Sequence, residues 1–279
     1  MEKKPISAAA KSVAPKQSSG GLNPFLIIPI LAVASFVIWK FVMGADSNFI
    51  NGDSGPKGHP IEGNYLGMIY KGGFVVPILM TCFATVLVFS IERLLTVGRA
   101  GGSGNLDVFV RKVKQLLDQN NVADAMKECD KQKGSVGNVV KTALAKYAQL
   151  STDTSLDKEQ KLASLQKEVD EATTLEMPML EQNMPILSTL ASVSTLVALL
   201  GTVLGMIRAF AALGGGGGTP DAAALSTGIS EALINTALGI GTSAIAILMY
   251  NFFTSRIDGL TYKIDEIGMS IQQNFAAHN

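Results

Sequence analysis

The sequence predicts an all-α integral membrane protein with three core transmembrane helices, an extra N-terminal transmembrane helix and a helical cytoplasmic domain. Four apolar runs are each long enough to cross a hydrocarbon core of about 30 Å. Only 16% of the 279 residues are charged, against about 25% in a typical soluble domain, and the charges lie mostly outside these runs. Between the second and third runs, apolar residues recur at helical spacing. We therefore expect long helices that extend from the membrane into the cytoplasm.

The N-terminal part combines a polar tail with the first apolar run. Residues 1–22 are rich in Lys, Ser, Ala and Pro and have no hydrophobic period, which predicts a disordered tail. Residues 24–44 predict a transmembrane helix, in which Trp39 and Lys40 suit the membrane interface. A cleaved signal peptide is the alternative, but the long apolar run and long preceding tail favour retention. Residues 45–71 contain Gly, Pro, Asn and Asp and predict a loop.

The second apolar run leads into the predicted helical domain. Residues 72–93 predict a transmembrane helix that closes on Glu92, and residues 94–184 predict several amphipathic helices. The last of these helices leads toward the third apolar run, where Pro178 and Pro185 predict a kink. The apolar faces are predicted from Val108, Val110, Val113, Leu116 and Leu117 in the first helix and from Leu162, Leu165, Val169 and Ala172 in the last.

Two further transmembrane helices are predicted at residues 185–213 and 224–253. The connection between them, 214–223, contains five glycines but lacks the Gly-Lys-Ser/Thr ending of a phosphate-binding loop. A surface turn is therefore expected, and the Thr-Pro-Asp at 219–221 predicts a helix start. Residues 254–279 form the C-terminal tail.

The distribution of Lys and Arg predicts the orientation. The 1–22 tail carries four lysines and the 94–184 domain is rich in both residue types, whereas the 214–223 loop has neither. Cytoplasmic segments carry the excess of positive charge. We expect the tail, the 94–184 domain and the 254–279 segment to be cytoplasmic, and the 45–71 and 214–223 loops to be periplasmic.

Small and polar residues form a stripe on each of the last two apolar runs. At about 1.5 Å rise per residue, Thr202, Glu231 and Thr236 lie at similar depth, so the stripes are expected to meet inside the bilayer. Close packing through small residues is the alternative explanation for the Ser and Thr positions. The stripes consist of Ser188, Ser192, Thr195, Ala198, Thr202 and Gly205, and of Thr227, Glu231, Asn235, Gly239 and Thr242 flanked by Thr236.

Glu231 favours a function over packing alone. An ionisable group inside a span is costly and usually faces protein, a cavity or an ion path. Its own helix has no Lys or Arg between 222 and 255, and Arg208 on the neighbouring helix is expected nearer the outer surface. A carboxyl group held away from water without a close cation exchanges protons near neutral pH. The residues expected along a proton pathway are Glu231, Thr202 and Thr236, with Asn235, Thr227, Ser192, Thr195 and Thr242 lining it.

Composition argues against several other functions. The formal net charge is zero, which gives no indication of a nucleic-acid partner. Cys82 and Cys129 form no disulfide framework or zinc motif, and we expect two reduced thiols. His59 and His278 lack metal-ligand spacing, and no nucleophile–base set is present, so no metal, cofactor or enzymatic activity is expected.

Four short motifs resemble one known family. They are ERLL at 92–95, LLGTVLGMIRAF at 199–210, GISEALINTALG at 228–239 and MYN at 249–251. In this order, and with a large polar insert after the first, they resemble the ExbB/TolQ/MotA proton-channel family and are most similar to ExbB. The resemblance covers about residues 72–260, so the first span and the long tail lie outside it.

The resemblance implies a role as an ExbB-like subunit of a bacterial inner-membrane motor that couples the proton motive force to TonB-dependent transport. It implies a homo-oligomer, a pentamer in this family, around an ExbD- or TolR-like single-span partner with an essential Asp, working with a TonB- or TolA-like protein. The family's pore glutamate corresponds to Glu231 and its two pore threonines to Thr202 and Thr236. Relatives often have Pro where this chain has Thr195 and Ile245. A TolQ-like subunit, a flagellar-type stator and a non-conducting scaffold are the alternatives.

Overall fold

The computed structural model describes residues 22–55, 58–214 and 222–278, and over these ranges the chain is all-α, as predicted. The predicted tail and the helix start at 219–221 lie outside the described residues. Four stretches are long and apolar enough to cross a membrane: Pro24–Met43, Val75–Ala100, Lys158–Ala211 and Leu225–His278. The helices are α1 (Pro24–Val37), α2 (Tyr65–Tyr70), α3 (Val75–Ala100), α4 (Leu106–Asp118), α5 (Val122–Gln132), α6 (Gly134–Thr152), α7 (Lys158–Glu181), α8 (Met184–Gly214) and α9 (Ala222–His278).

Helix α1 is an apolar helix that packs against α3 and leaves most of its surface uncovered. Asn23 caps it by accepting a hydrogen bond from the amide of Phe25, and proline occupies the first helical position. A π-helical turn, Ile38–Met43, continues it. Its exposed side chains, which include Phe25, Leu26, Ile30, Val33 and Phe41, are suited to lipid contact.

The segment between α1 and α3 is more ordered than the predicted loop. It contains α2, whose first turn is capped by Asn64, which accepts hydrogen bonds from the amides of Leu66 and Gly67. Asn48 ties the segment to the end of the π-helical turn, because its side chain donates to the carbonyls of Val42 and Met43 at 2.7 and 3.0 Å. Predicting a loop over all of 45–71 was therefore wrong for α2.

A bundle of α4, α5, α6, α7 and the C-terminal part of α9 encloses one apolar core. The prediction for α4 is mostly confirmed, since Val110, Val113 and Leu117 are buried. Val108 is exposed instead, and Phe109 takes the buried position. In α7, the predicted face at Leu165, Val169 and Ala172 is buried and Leu162 packs against the core.

Helices α7 and α8 are separated by a break rather than joined in one kinked helix. Helix α7 ends at Glu181, and Asn183 has a φ of +64°, a left-handed conformation that asparagine tolerates better than most residues. Pro178 lies inside α7. Pro185 lies in the first turn of α8, where backbone amides have no helical acceptor, so the missing N–H of proline costs no helical hydrogen bond. The predicted continuity of this helix is therefore wrong, and the break lies between the two prolines.

Glu92 and Arg93, the first two residues of the ERLL motif, stabilise the break between α7 and α8. The Arg93 side chain is fully buried and its Nη1 donates to the carbonyls of Met179 and Leu180, both at 3.1 Å. These carbonyls belong to the last turn of α7, which has no helical donors left. Arg93 Nε donates to Glu92 Oε2 at 2.6 Å, and Asn183 Nδ2 donates to the same oxygen at 3.4 Å.

Helix α9 is continuous over 57 residues, from the apolar α8–α9 hairpin into the bundle. The segment 254–278, predicted only as a tail, is therefore the helical continuation of the last span. Its buried positions Ile264, Ile267, Ile271 and Phe275 contribute to the bundle core. This helix links the site described below to the bundle.

Candidate proton pathway between α3, α8 and α9

Small residues bring α8 and α9 into close antiparallel contact. A Cβ added to Gly239 would lie 2.1 Å from the Cβ of Ala198, and one added to Gly205 would lie 2.9 Å from the carbonyl oxygen of Gly228. Real Cβ atoms do not approach other atoms so closely, so these glycines are required for the observed spacing. Close packing therefore explains part of each stripe.

The two stripes meet at Thr202 and Thr236, as predicted from their depth. Their hydroxyl oxygens lie 2.5 Å apart across the α8–α9 interface. Each hydroxyl is also within hydrogen-bonding distance of a carbonyl on its own helix, Ala198 for Thr202 at 3.0 Å and Ala232 for Thr236 at 3.1 Å. A hydroxyl has one proton to donate and two lone pairs. The pair can therefore change donor and acceptor roles by rotation about the side-chain bonds.

Glu231 lies five residues from Thr236 toward the start of α9 and is 5% exposed. Its Oε1 accepts a hydrogen bond from Arg208 Nη1 of α8 in an ion pair. The expectation that Glu231 has no close cation is therefore wrong. Arg208 lies six residues beyond Thr202 on α8, and α9 runs antiparallel to α8, so Glu231, five residues before Thr236, meets Arg208 rather than Thr202. The arginine side chain is 53% exposed, whereas that of Glu231 is 7% exposed.

The turn before α3 covers Glu231. Gly73 has a φ of +77°, and a Cβ at this position would lie 2.2 Å from Glu231 Oε1 and 3.3 Å from Arg208 Nη1. Asn235, one helical turn along α9, donates from Nδ2 to the carbonyl of Gly72 at 2.9 Å. Sequence reasoning missed Gly72 and Gly73, and it placed Arg208 too near the outer surface to pair with Glu231. A Gly-Gly pair directly before an apolar run was a signal of close backbone approach that could have pointed to the turn.

The remaining predicted residues are divided between the interface and the surface. Asn235 and Thr242 are buried, and Thr242 donates to the carbonyl of Leu238 on its own helix at 2.8 Å. Thr227 is half-buried, one turn from Glu231. Ser192 and Thr195 are exposed on α8. The α8 stripe advances about 3.4 residues per step, which is less than the 3.6 residues of a helical turn, so the stripe rotates away from α9 along the helix.

The two cysteines lie apart and buried. Cys82 is in α3, and Cys129 is in the bundle, where burial raises the pKa of its thiol to about 12. Among the described residues, no group of three or more His, Cys, Asp or Glu side chains is placed to hold a metal ion.

Comparison with known proteins gives the family. Residues 131–266 match the model of the MotA/TolQ/ExbB proton channel family. Over this range, about half of its length, the chain is similar to the proton channel family. It is 26% identical to the Tol-Pal system protein TolQ of Pseudomonas aeruginosa over 69% of this chain and 84% of that protein.

Shorter segments match two further relatives. The chain is 38% identical to TolQ of Haemophilus influenzae over 32% of this chain, and 31% identical to the biopolymer transport protein ExbB of Xanthomonas campestris over 38% of this chain. It spans only 39% and 42% of these two proteins.

The match to the family model supports the resemblance deduced from the motifs. The matched range contains Thr202, Glu231 and Thr236, whereas α1 and α2 precede it. With four apolar helical stretches, the protein is a multi-pass inner-membrane protein. The family is one of proton channels rather than an enzyme class.

Proposed function

We propose that the chain is the ExbB-like subunit of an inner-membrane motor driven by protons, and that Glu231 carries the transferred proton. The observation that carries this proposal is a buried carboxylate within a helix of membrane-spanning length and composition, five residues from Thr236 of the hydrogen-bonded pair Thr202–Thr236. An ionisable group in this position is expected to serve a pathway rather than stability. The comparisons add support, because the family is one of proton channels.

The chemistry follows from the neighbours of Glu231. A charged Glu231 is attracted to Arg208, and protonation removes that attraction. Thr202 and Thr236 each accept and donate hydrogen bonds, so together with water they can pass a proton along the α8–α9 interface. Thr227 and Asn235 flank Glu231 on the same face, while Ser192, Thr195 and Thr242 extend the polar lining. A cycle of charging and neutralisation at Glu231 would move α9 relative to α8.

We infer that copies of the chain assemble into a ring of five around an ExbD- or TolR-like single-span partner. Two exposed hydroxyl residues, Ser192 and Thr195, lie on α8 among exposed apolar side chains, which suits a wet central passage bounded by apolar subunit contacts. A TonB- or TolA-like protein would receive the motion. A TolQ-like role is the second candidate, because the match to Pseudomonas TolQ covers 84% of that relative.

The proposed orientation follows the distribution of Lys and Arg. The N-terminus and the bundle face the cytoplasm, and the 45–71 segment and the α8–α9 connection face the periplasm. Protons driven inward would therefore reach Glu231 before the Thr202–Thr236 pair.

Three measurements test the proposed function. Affinity purification of the chain from its own membranes in mild detergent should recover a single-span partner, and its identity separates the ExbB-like from the TolQ-like role. Native mass spectrometry should show five copies. Liposomes containing the complex should take up protons, and Thr202→Ala or Thr236→Ala should slow uptake partially, since water replaces one hydroxyl. A stable monomer with no partner and no uptake contradicts the proposal.

A further inference from the structure

A cavity lies between the segment that leads into the Gly72–Gly73 turn and the first turns of α9. Its volume is about 410 Å³, and it separates the 58–71 segment from the first turns of α9. Its walls reach Lys71, which precedes the turn, and Thr227, which lies one helical turn from Glu231. Its ionisable lining groups are His59, Glu62 and Lys71, and its other lining residues include Met68, Ser226, Thr227 and Ser230.

The turn directly follows Lys71 of the cavity lining and covers Glu231. Gly73 contacts the Glu231 carboxylate so closely that a side chain would not fit, and Arg208 holds the same carboxylate from α8. The hydrogen bond from Asn235 to the carbonyl of Gly72 ties the turn to α9. Two consecutive glycines allow a large backbone change at low energetic cost.

Asn235 carries an unused acceptor at this point. Its Oδ1 is buried and has no hydrogen-bond partner in the described part of the chain. Buried polar atoms are nearly always paired, and an exception indicates a role or a place for water. An Asn235 oxygen beside the turn can accept a hydrogen bond from a water molecule that enters when the turn lifts.

We propose that this cavity is the proton inlet to Glu231 and that the Gly72–Gly73 turn is its gate, held closed by Asn235. The role of the gate in proton entry rests on the proposed function, whereas the opening of the turn needs only this chain. In the closed state the carboxylate is sealed from the cavity. When the turn moves away from α9, the Glu231 carboxylate becomes exposed to the cavity. The hydrogen bond from Asn235 to the Gly72 carbonyl then returns the turn to its closed position.

A reversible disulfide tests the gate without altering Glu231. A Cβ on Gly72 would lie 3.1 Å from Ile234 Cγ2, which suits a disulfide between Gly72→Cys and Ile234→Cys. All variants carry Val76→Ala, because the new Cβ would otherwise lie 2.5 Å from Val76 Cγ2. The deciding readout is the rate at which a water-soluble carbodiimide modifies Glu231 in liposomes that contain the chain without partner, measured by mass spectrometry.

Oxidation of the double-cysteine variant should reduce modification of Glu231 to background, and dithiothreitol should restore it. The two single-cysteine variants should not respond to oxidant. Equal modification of the oxidised and reduced double variant overturns the gate. Proton uptake with partner is measured in parallel. If the disulfide controls the modification of Glu231 but neither the oxidised nor the reduced protein takes up protons, the gate is supported and the proposed motor function is contradicted.

Removal of the hydrogen bond between Asn235 and the Gly72 carbonyl gives an independent test. Asn235→Ala should increase the rate of Glu231 modification about fivefold, because about one net hydrogen bond is lost from the closed state. Ser243→Ala is the matched control, since it removes a hydrogen bond from α9 to the carbonyl of Ala191 on α8, away from the turn. Its rate should equal that of the wild type. An unchanged rate in Asn235→Ala contradicts the assigned role of Asn235 as the residue that positions the turn.

Discussion

Arg93 is expected to be the most important single side chain for the stability of the junction between the membrane helices and the bundle. Arg93→Met retains an apolar stem but removes the partner of Glu92, which is 8% exposed, and leaves two carbonyls of α7 without their donor. Loss of one partner from a buried ion pair costs about 3–5 kcal/mol. This corresponds to a fall in the unfolding temperature of roughly 6–20 °C on the scaling for large domains.

Thermal unfolding in mild detergent, followed by far-UV circular dichroism, measures this effect. The double variant Glu92→Gln/Arg93→Met should recover part of the loss, because no unpaired charge remains buried. Arg256→Met is the control, since Arg256 is exposed and lies 5.4 Å from the Phe252 ring centre, and it should change stability by about 0.5 kcal/mol or less. If Arg93→Met unfolds at the wild-type temperature, the arginine does not hold the break between α7 and α8.

Three further outcomes are expected. Gly239→Ala should lower the yield of folded protein in detergent gel filtration, because the added methyl would lie 2.1 Å from a Cβ on α8, whereas Gly241→Ala, with nothing within 4 Å, should not. Cys129 should stay unreactive toward a maleimide at pH 8 until the protein unfolds, since its raised pKa keeps the thiol protonated; rapid reaction of the folded protein would contradict its burial. In sealed inner-membrane vesicles of known sidedness, an impermeant thiol reagent should label Lys127→Cys and Glu62→Cys from opposite sides, and labelling from one side would overturn the proposed orientation.

Hydrophobic length and periodicity were sufficient to predict the membrane helices and most of the bundle. The run at 72–93 and the apolar spacing in α4 and α7 depend on local pattern alone. The structure agrees with them, except that Val108 is exposed, that Gly72 and Gly73 form a turn before α3, and that α3 continues to Ala100. The break at Asn183 was not predictable in this way, because prolines dominate the local signal. Its actual cause is a left-handed asparagine stabilised by Glu92 and Arg93, which are distant in sequence.

The candidate site was predicted only in part, because some of its contacts join residues that are distant in sequence. Thr202 and Thr236 could be paired because helical rise converts sequence position into depth. The Arg208–Glu231 ion pair depends on which faces of two antiparallel helices meet, and one stripe alone does not specify this. The contact of Gly73 with Glu231 joins elements about 160 residues apart in the chain, so neither residue's local pattern contains it.

Proton uptake by liposomes that contain the chain and its copurified partner tests the central claim most directly, through Glu231→Gln. Glutamine keeps the size and hydrogen-bonding capacity of the side chain but cannot carry a transferable proton. At matched protein density, and with assembly checked by native mass spectrometry, the variant should form the same oligomer and show no partner-dependent uptake, while Glu231→Asp should retain some. If Glu231→Gln takes up protons at the wild-type rate, Glu231 is structural and the proposed pathway is wrong.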